Sequence, residues 1–122
     1  TQAVLAAQAG ARYVSFFWNR IRDGVKDLDN PGAKEDLGKK FDESDFNPFL
    51  VVQRTREIFD KAYRGVEIIA GSIRSVIDVR DAGLAGAHIV TVPPKFFLGM
   101  STHFKTDQAV KEFIAKFEAW LS

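Results

Sequence analysis

Arg20 and Arg74 are the residues from which chemistry can be built. Each stands just past an apolar run, and each has a serine nearby: Ser15 for the first, Ser72 for the second. The stretch from Val66 to Arg74, VEIIAGSIR, reads as a short buried strand with a small cationic tip. Ile68, Ile69 and Ala70 supply the apolar run. Gly71 lets the backbone turn or approach a ligand closely. Ser72 offers a hydroxyl and Arg74 a forked cation. Ser75 then has the chemistry of a helix N-cap, with Asp78 three residues on as in a capping box. Free N–H groups, a hydroxyl and a guanidinium that converge at a helix start make an anion site. Two arginines at neighbouring strand ends repel each other unless an anion or a carboxylate lies between them. Phosphate would accept paired bonds from Arg and one more from Ser. The plainer alternative pairs each Arg with a local acid, such as Asp23 or Asp78.

The elements that must hold these groups alternate. Thr1 or Gln2 to Gln8 predicts a short Ala-rich helix stopped at Gly10. Ala11 to Phe17 predicts a strand, with Tyr13, Ser15 and Phe17 on one face and Val14, Phe16 and Trp18 on the other. Arg22 to Asn47 mixes glycine, proline and charges of both signs, which predicts a long polar loop with at most one short helix. Asn47-Pro48 opens a helix whose Val51, Thr55, Ile58, Phe59 and Ala62 recur at helical spacing and should pack inward. Gly65 ends it. Strand Val66–Gly71, helix Ser75–Ala85 and strand Ala87–Val92 come next. A short helix is expected from Pro94 to about Met100. Thr106 should cap a last helix, Asp107–Leu121, striped by Val110, Phe113, Ile114, Phe117 and Leu121.

One pattern repeats. Ala9-Gly10-Ala11-Arg12-Tyr13-Val14 matches Ala85-Gly86-Ala87-His88-Ile89-Val90, and Arg64-Gly65-Val66-Glu67-Ile68-Ile69 is a looser third copy. Each copy is a helix end, a glycine and an apolar strand. Such alternation means parallel strands joined by crossover helices, an α/β class. Three strands alone would leave two unpaired edges. The chain has 122 residues, about half of the roughly 250 of a (β/α)8 barrel, whose active site lies at the C-terminal ends of its strands.

Composition narrows the function classes. A net charge of +1 gives no basis for nucleic acid or an anionic membrane as partner. The chain has no cysteine, hence no disulfide and no thiolate metal site. That fits a reducing cytoplasm, the expected location. No apolar run is long enough to span a bilayer. The first residues lack the basic start of a signal peptide and begin near a helix start without Met, so the chain is expected to be a fragment or one half of something.

Four stretches, taken in order, carry a resemblance to one known family. Ser15-Phe16-Phe17-Trp18-Asn19-Arg20-Ile21 resembles the signature Ser-Pro-Phe-Val-Gly-Arg-Ile. Ala70-Gly71-Ser72-Ile73-Arg74 resembles an Ala-Ser-Phe-Arg tip. Gly86-Ala87-His88-Ile89-Val90-Thr91-Val92-Pro93 is similar to Gly-Ala-Asp-x-Val-Thr-Val-Pro. His103-Phe104-Lys105-Thr106-Asp107, followed by Phe113 and Trp120, is similar to the ending His-Pro-x-Thr-Asp…Phe…Trp. The family so resembled is that of the transaldolases, and the last two stretches are similar to its small, fructose-6-phosphate-aldolase-like branch; the resemblance covers almost the whole chain apart from the Arg22–Asn47 loop.

The resemblance implies a (β/α)8 TIM barrel of which residues 1–122 are the C-terminal half, about strands 6, 7 and 8 with their helices. It implies a transferase of the pentose phosphate pathway that moves a dihydroxyacetone unit between sugar phosphates through a lysine Schiff base. Arg20, Ser72 and Arg74 would bind the phosphate, and Ser15 and Phe17 would line the substrate pocket. No cofactor and no metal are implied. The expected partners are a sugar-phosphate substrate, the N-terminal half of the barrel on the same or a separate chain, and further copies in a homo-oligomer.

Departures bear on that reading. The family's Pro, Val and Gly are Phe16, Trp18 and Asn19 here. Phe16 and Trp18 should face the helical shell, whereas Asn19 sits beside the phosphate site and leaves the substrate open to a sulfonated sugar, which suits the same Ser and Arg groups. A Schiff-base lysine needs a desolvated strand position, and every lysine here falls in a helix, a loop or a helix start. The nucleophile is therefore expected upstream of this chain, with Lys95, just past the last strand, the one conceivable substitute. His88 and His103 are isolated and make no metal site. Two other readings compete: a non-catalytic half-barrel that binds or scaffolds, and a phosphate-binding aldolase variant with a different lysine.

Overall fold

Two glycines set the frame of the chain. The computed structural model describes residues 1–122. Helix α1 (Gln2–Gln8) is followed by Gly10 at φ +92, and helix α5 (Val76–Ala85) by Gly86 at φ +102. At both ends the next amide reaches back five residues, Ala11 N–H to Ala6 O at 3.1 Å and Ala87 N–H to Ala82 O at 3.0 Å. This is the left-handed helix ending that favours glycine. The two closest copies of the sequence repeat therefore share one local geometry. Gly65, in the looser copy, has no positive φ.

Each ending feeds a strand. Strands β1 (Tyr13–Phe17), β2 (Glu67–Gly71) and β3 (Ile89–Val90) form one parallel sheet in the order β1-β2-β3. Val14 lies beside Ile68, Ser15 beside Ile69, and Phe17 beside Gly71. Ile69 in turn pairs with Ile89, and Ala70 with Val90. The class is α/β, as expected, and a three-stranded parallel sheet is consistent with part of a barrel.

The strand expected over Ala87–Val92 is shorter than foreseen. Only Ile89 and Val90 pair with β2 as strand, although the Thr91 N–H beyond them still donates to Ala70 O at 3.0 Å. His88 sits at its start, and its Nδ1 accepts the Ile68 N–H at 3.0 Å while its own N–H donates to Ile68 O at 2.9 Å. The first strand likewise begins at Tyr13 rather than Ala11, because Ala11 is spent on the helix ending.

One face of the sheet carries the core. Val14, Ile68 and Ala70 pack with Ala3 and Ala7 of α1, with Val52 and Phe59 of helix α4 (Pro48–Ala62) and with Ala82 and Ala85 of α5. Phe59, Ile68 and Val52 are completely enclosed. Burial of each such side chain is worth about 1.5–3 kcal/mol, so the cluster they share anchors the unit. The opposite face is uncovered: Tyr13, Phe17 and Ile89 are exposed, and so is Ser15.

The inward face of α4 is turned from the expected one. Pro48, Val52, Thr55 and Phe59 are buried, whereas Val51 is half-buried and Ile58 and Ala62 are exposed. Val52 to Phe59 points at the sheet. Val51 and Ile58 instead line a cavity of about 590 Å³ with Phe16, Ile21 and Phe41, between α1, α4 and the polar segment. Asn47 caps α4 as expected, its Oδ1 accepting the Leu50 N–H at 3.3 Å.

The polar segment holds more structure than a loop. Helix α2 (Trp18–Asp23) starts directly after β1 and was not foreseen, because its preceding residue, Phe17, provides no capping side chain. A 3-10 turn over Gly24–Asp27, helix α3 (Pro31–Asp36) and a 3-10 turn over Glu43–Phe46 come after it. The last of these carries a complete capping box between Asp42 and Asp45. Trp18, expected against the helical shell, is 1% exposed, and Phe16 packs against the core.

The C-terminal part runs through helix α6 (Pro94–Phe97), a 3-10 turn over Leu98–Ser101 and helix α7 (Phe104–Leu121). His103, not Thr106, caps α7: its Nδ1 accepts the Lys105 N–H at 3.3 Å, which starts the helix three residues earlier than expected. The stripe of Val110, Phe113, Ile114, Phe117 and Leu121 forms, but α7 buries no residue against this chain. No helix is long and apolar enough to cross a membrane.

Candidate functional site

The parallel register brings the ends of β1 and β2 level, because Phe17 lies beside Gly71. The segments that leave the two strands are therefore held side by side. After β1 comes α2, which carries Asn19, Arg20, Arg22 and Asp23. After β2 comes the tip Ser72-Ile73-Arg74, and then α5 with Ser75 as its cap.

The turn at the tip is made by Ser72 and not by Gly71. Ser72 has φ 56, the one non-glycine residue with a positive φ in the chain. Gly71 is ordinary strand; a Cβ there would meet Thr91 Oγ1 at 3.6 Å and Phe17 Cδ1 at 3.8 Å, normal contact distances. A left-handed serine is strained by about 1–3 kcal/mol and persists only where neighbours hold it. The neighbour here is Asn19. Its backbone N–H donates to Ser72 O at 3.4 Å and its Nδ2 donates to the same oxygen at 2.8 Å.

Asp78 holds the other side of the tip. The Ser75 hydroxyl accepts the Asp78 N–H at 3.1 Å, which is the cap foreseen. The reciprocal half of a capping box is absent. The Asp78 carboxylate turns instead to the Arg74 N–H at 3.0 Å and to Asn19 Nδ2 at 2.7 Å, and Arg22 closes on it at 3.4 Å. Asp78 is 3% exposed. Burial alone would raise its pKa; the donated bonds from Asn19 and the Arg74 N–H, together with the Arg22 charge, outweigh it and hold the carboxyl below the usual carboxylate range.

The two arginines differ. Arg74 donates from Nη2 to Asp23 Oδ2 at 2.8 Å, so the plainer pairing considered for it is present. That hydrogen bond raises the pKa of Arg74 and lowers that of Asp23. Arg20 makes no ion pair; its guanidinium stacks 4.9 Å over the ring of Phe17. Arg22 takes the role of buried-acid partner that Arg20 and Arg74 do not. Ser15 and Phe17 are on the uncovered face of the sheet, on the side away from the helices. The five residues picked from sequence thus lie on adjacent strands or directly after them: Arg20, Ser72 and Arg74 beyond the strand ends, Ser15 and Phe17 on the strand face beneath.

Sequence reasoning did not find Asn19, Arg22 and Asp78 as a connected group. The spacing of Asn19 and Arg22 (three apart on one helix face) was the available signal, and it required α2 to be recognised first. Lys95 lies in α6 with its Nζ 4.9 Å over the ring of Phe96, off any strand. No three His, Asp or Glu side chains come together as a metal site. The 590 Å³ cavity is on the helix side and is lined by none of Ser72, Ile73 or Arg74.

Comparison with known proteins bears on what such strand ends serve. A "Probable transaldolase" of Agathobacter rectalis is 39% identical over 118 residues, 97% of this chain and 45% of the relative. Its namesake in Clostridium botulinum strain Hall is 36% identical over 117 residues, 96% of this chain and 45% of the relative. A third, from Caulobacter sp. K31, is 37% identical over 114 residues, covering 93% and 43%. The chain spans about half the length of the curated relatives it matches. The family described as transaldolase/fructose-6-phosphate aldolase matches residues 1–121. With that match over nearly its full length, the chain belongs to the transaldolase/fructose-6-phosphate aldolase family.

Proposed function

We propose that this chain is the C-terminal half of a (β/α)8 barrel and supplies the phosphate-binding side of a transaldolase-type active site. The observation that supports the reading is the level ending of β1 and β2, beyond which the segment that carries Arg20 is tied to the Ser72–Arg74 tip through Asn19 and Ser72 O. Arg20, Ser72 and Arg74 bind the phosphate of a sugar phosphate. Ser15 and Phe17, on the uncovered face, line the pocket for the reacting ketose. The Schiff-base lysine lies outside this chain, on the N-terminal half. There its amine condenses with the ketose carbonyl and releases water. Cleavage then frees an aldose phosphate, and the retained dihydroxyacetone unit passes to an acceptor aldose. The bare face of the sheet and the apolar stripe of α7 are the surfaces left for the remainder of the barrel and for other copies of the protein.

The test is borohydride trapping of the full-length protein with fructose 6-phosphate, with calorimetry on an Arg74→Ala variant alongside. An adduct on a lysine outside residues 1–122 is expected. The variant should lose more than about 1 kcal/mol of sugar-phosphate affinity, because a charge-assisted contact is removed. Unchanged affinity would overturn the phosphate assignment. An adduct on Lys95 would overturn the division of labour between the halves.

A further inference from the structure

Asn19 stands where the family signature has glycine, and it is 3% exposed. Every hydrogen-bonding group of its side chain is used. Nδ2 donates to Ser72 O at 2.8 Å and to Asp78 Oδ2 at 2.7 Å, and Oδ1 accepts from Arg22 Nη1 at 2.8 Å. Asp78 carries the grip across to the Arg74 N–H at 3.0 Å. The carbonyl before Ile73 and the amide after it are thereby both fixed, and Ile73 itself is 4% exposed, plugged into the core. A glycine could donate only its backbone N–H, which lies 3.4 Å from Ser72 O.

We infer that Asn19 and Asp78 are positioning residues for anion binding: they lock Ser72 in its left-handed conformation and so aim the Ser72 hydroxyl and the Arg74 stem at one ligand. Neither side chain need touch the ligand. Sites of this kind depend on supporting bonds that hold the contacting groups in place before binding. Arg22 completes the lock by neutralising Asp78, which would otherwise be a buried charge beside an anion site. The inference rests on the phosphate reading above, and the experiment separates the two.

The probe is inorganic phosphate, measured as a competitive inhibitor of the full-length enzyme, together with KM and kcat for the sugar phosphate and the thermal midpoint. Three variants are compared: Arg74→Ala, Asn19→Gly and the exchange N19D/D78N. In the exchange one hydrogen bond between positions 19 and 78 can re-form with donor and acceptor reversed, but a carboxylate at position 19 cannot donate to Ser72 O, and the amide NH2 that D78N places opposite it cannot accept the Arg74 N–H that Asp78 Oδ2 accepts, so both grips on the tip are lost. The expected result, read well below the thermal midpoint of each folded variant, is that phosphate binding weakens about fivefold or more in Asn19→Gly and in the exchange, KM rising more than kcat falls. If Arg74→Ala weakens phosphate and the exchange does not, the lock is refuted and the phosphate reading stands. If Arg74→Ala leaves phosphate binding unchanged, the phosphate reading itself fails and the lock with it. Should Asn19→Gly fail to fold, the exchange variant alone decides between the first two outcomes.

Discussion

Arg74 reaches back from the end of β2 to Asp23 at the end of α2, Nη2 to Oδ2, at 2.8 Å. The side chains of this pair are 54% and 38% exposed. An exposed pair of this kind is easily exchanged for another partner. A carboxylate on the cation of an anion site competes with the anion. Asp23→Asn in the full-length protein should therefore strengthen inorganic phosphate binding by about threefold at low salt, and added salt should erase the gain. Inhibition constants at two ionic strengths check this; weaker binding in the variant would mean that Asp23 supports the site.

Arg20 and Arg74 should not be equivalent. Arg20 has no carboxylate partner and rests on Phe17, so Arg20→Ala removes charge from the site without freeing an acid. Arg74→Ala also releases Asp23 to face the anion. The Arg74 variant is expected to lose more phosphate affinity than the Arg20 variant, by about twofold or more. Side-by-side calorimetry with phosphate reads the difference.

Acid should loosen the tip through Asp78. Its carboxyl is held below the usual range in the fold, so the unfolded chain takes up a proton first as the pH drops. The stabilisation is complete above the ordinary carboxylate pKa of about 4 and is lost as pH falls through the lower, folded-state value. Asp23 adds a contribution of the same sign from its bond to Arg74. Urea midpoints measured from pH 7 to pH 3 should fall less steeply in Asp78→Asn than in the parent. Parallel curves would show that Asp78 does not carry the acid sensitivity.

Gly83 inside α5 and Gly86 just past its end should respond in opposite directions. Gly86 has φ +102, and a Cβ there would lie 2.9 Å from Arg56 Cγ. Arg56 cannot easily withdraw, because it donates to Gly86 O and to Asp60, each at 2.8 Å. Gly86→Ala should cost about 1–3 kcal/mol. Gly83 lies inside α5 with nothing within 4 Å of its would-be Cβ. Gly83→Ala should add about 0.5–1 kcal/mol. Denaturant unfolding of the two variants provides the contrast.

What could be read from the chain before its structure was local chemistry. The glycine after each helix, the Asn47 and Ser75 caps and the apolar strands announce themselves within a few residues, so the α/β class and the order of the three strands were legible. Helix α2 was not, because it has no capping side chain and continues directly from a strand. The length of β3 depends on how far it pairs with β2, which is not a property of its own residues. The face of α4 was missed by one position, since Val51 and Val52 are equally apolar and only tertiary packing chooses between them. That Arg20, Ser72 and Arg74 lie just past strand ends could be read from type and place. The lock beneath them could not, because Asn19 finds its partners 53 and 59 residues away.

His88 does with a side chain what a neighbouring strand would do with a carbonyl. By accepting the Ile68 N–H at Nδ1, the imidazole must carry its proton on Nε2, so one tautomer is dictated by the backbone. The ring also acts as a peg: sliding β3 by one residue along β2 would pull it from its donor. An Asp at this place, as in the Gly-Ala-Asp pattern that the segment resembles, would offer an acceptor of similar reach. The Ile68 amide, at the centre of the sheet, thus owes its protection from solvent exchange to a single replaceable ring. In His88→Ala that amide should exchange with deuterium well before those of Ile69 and Ala70 beside it.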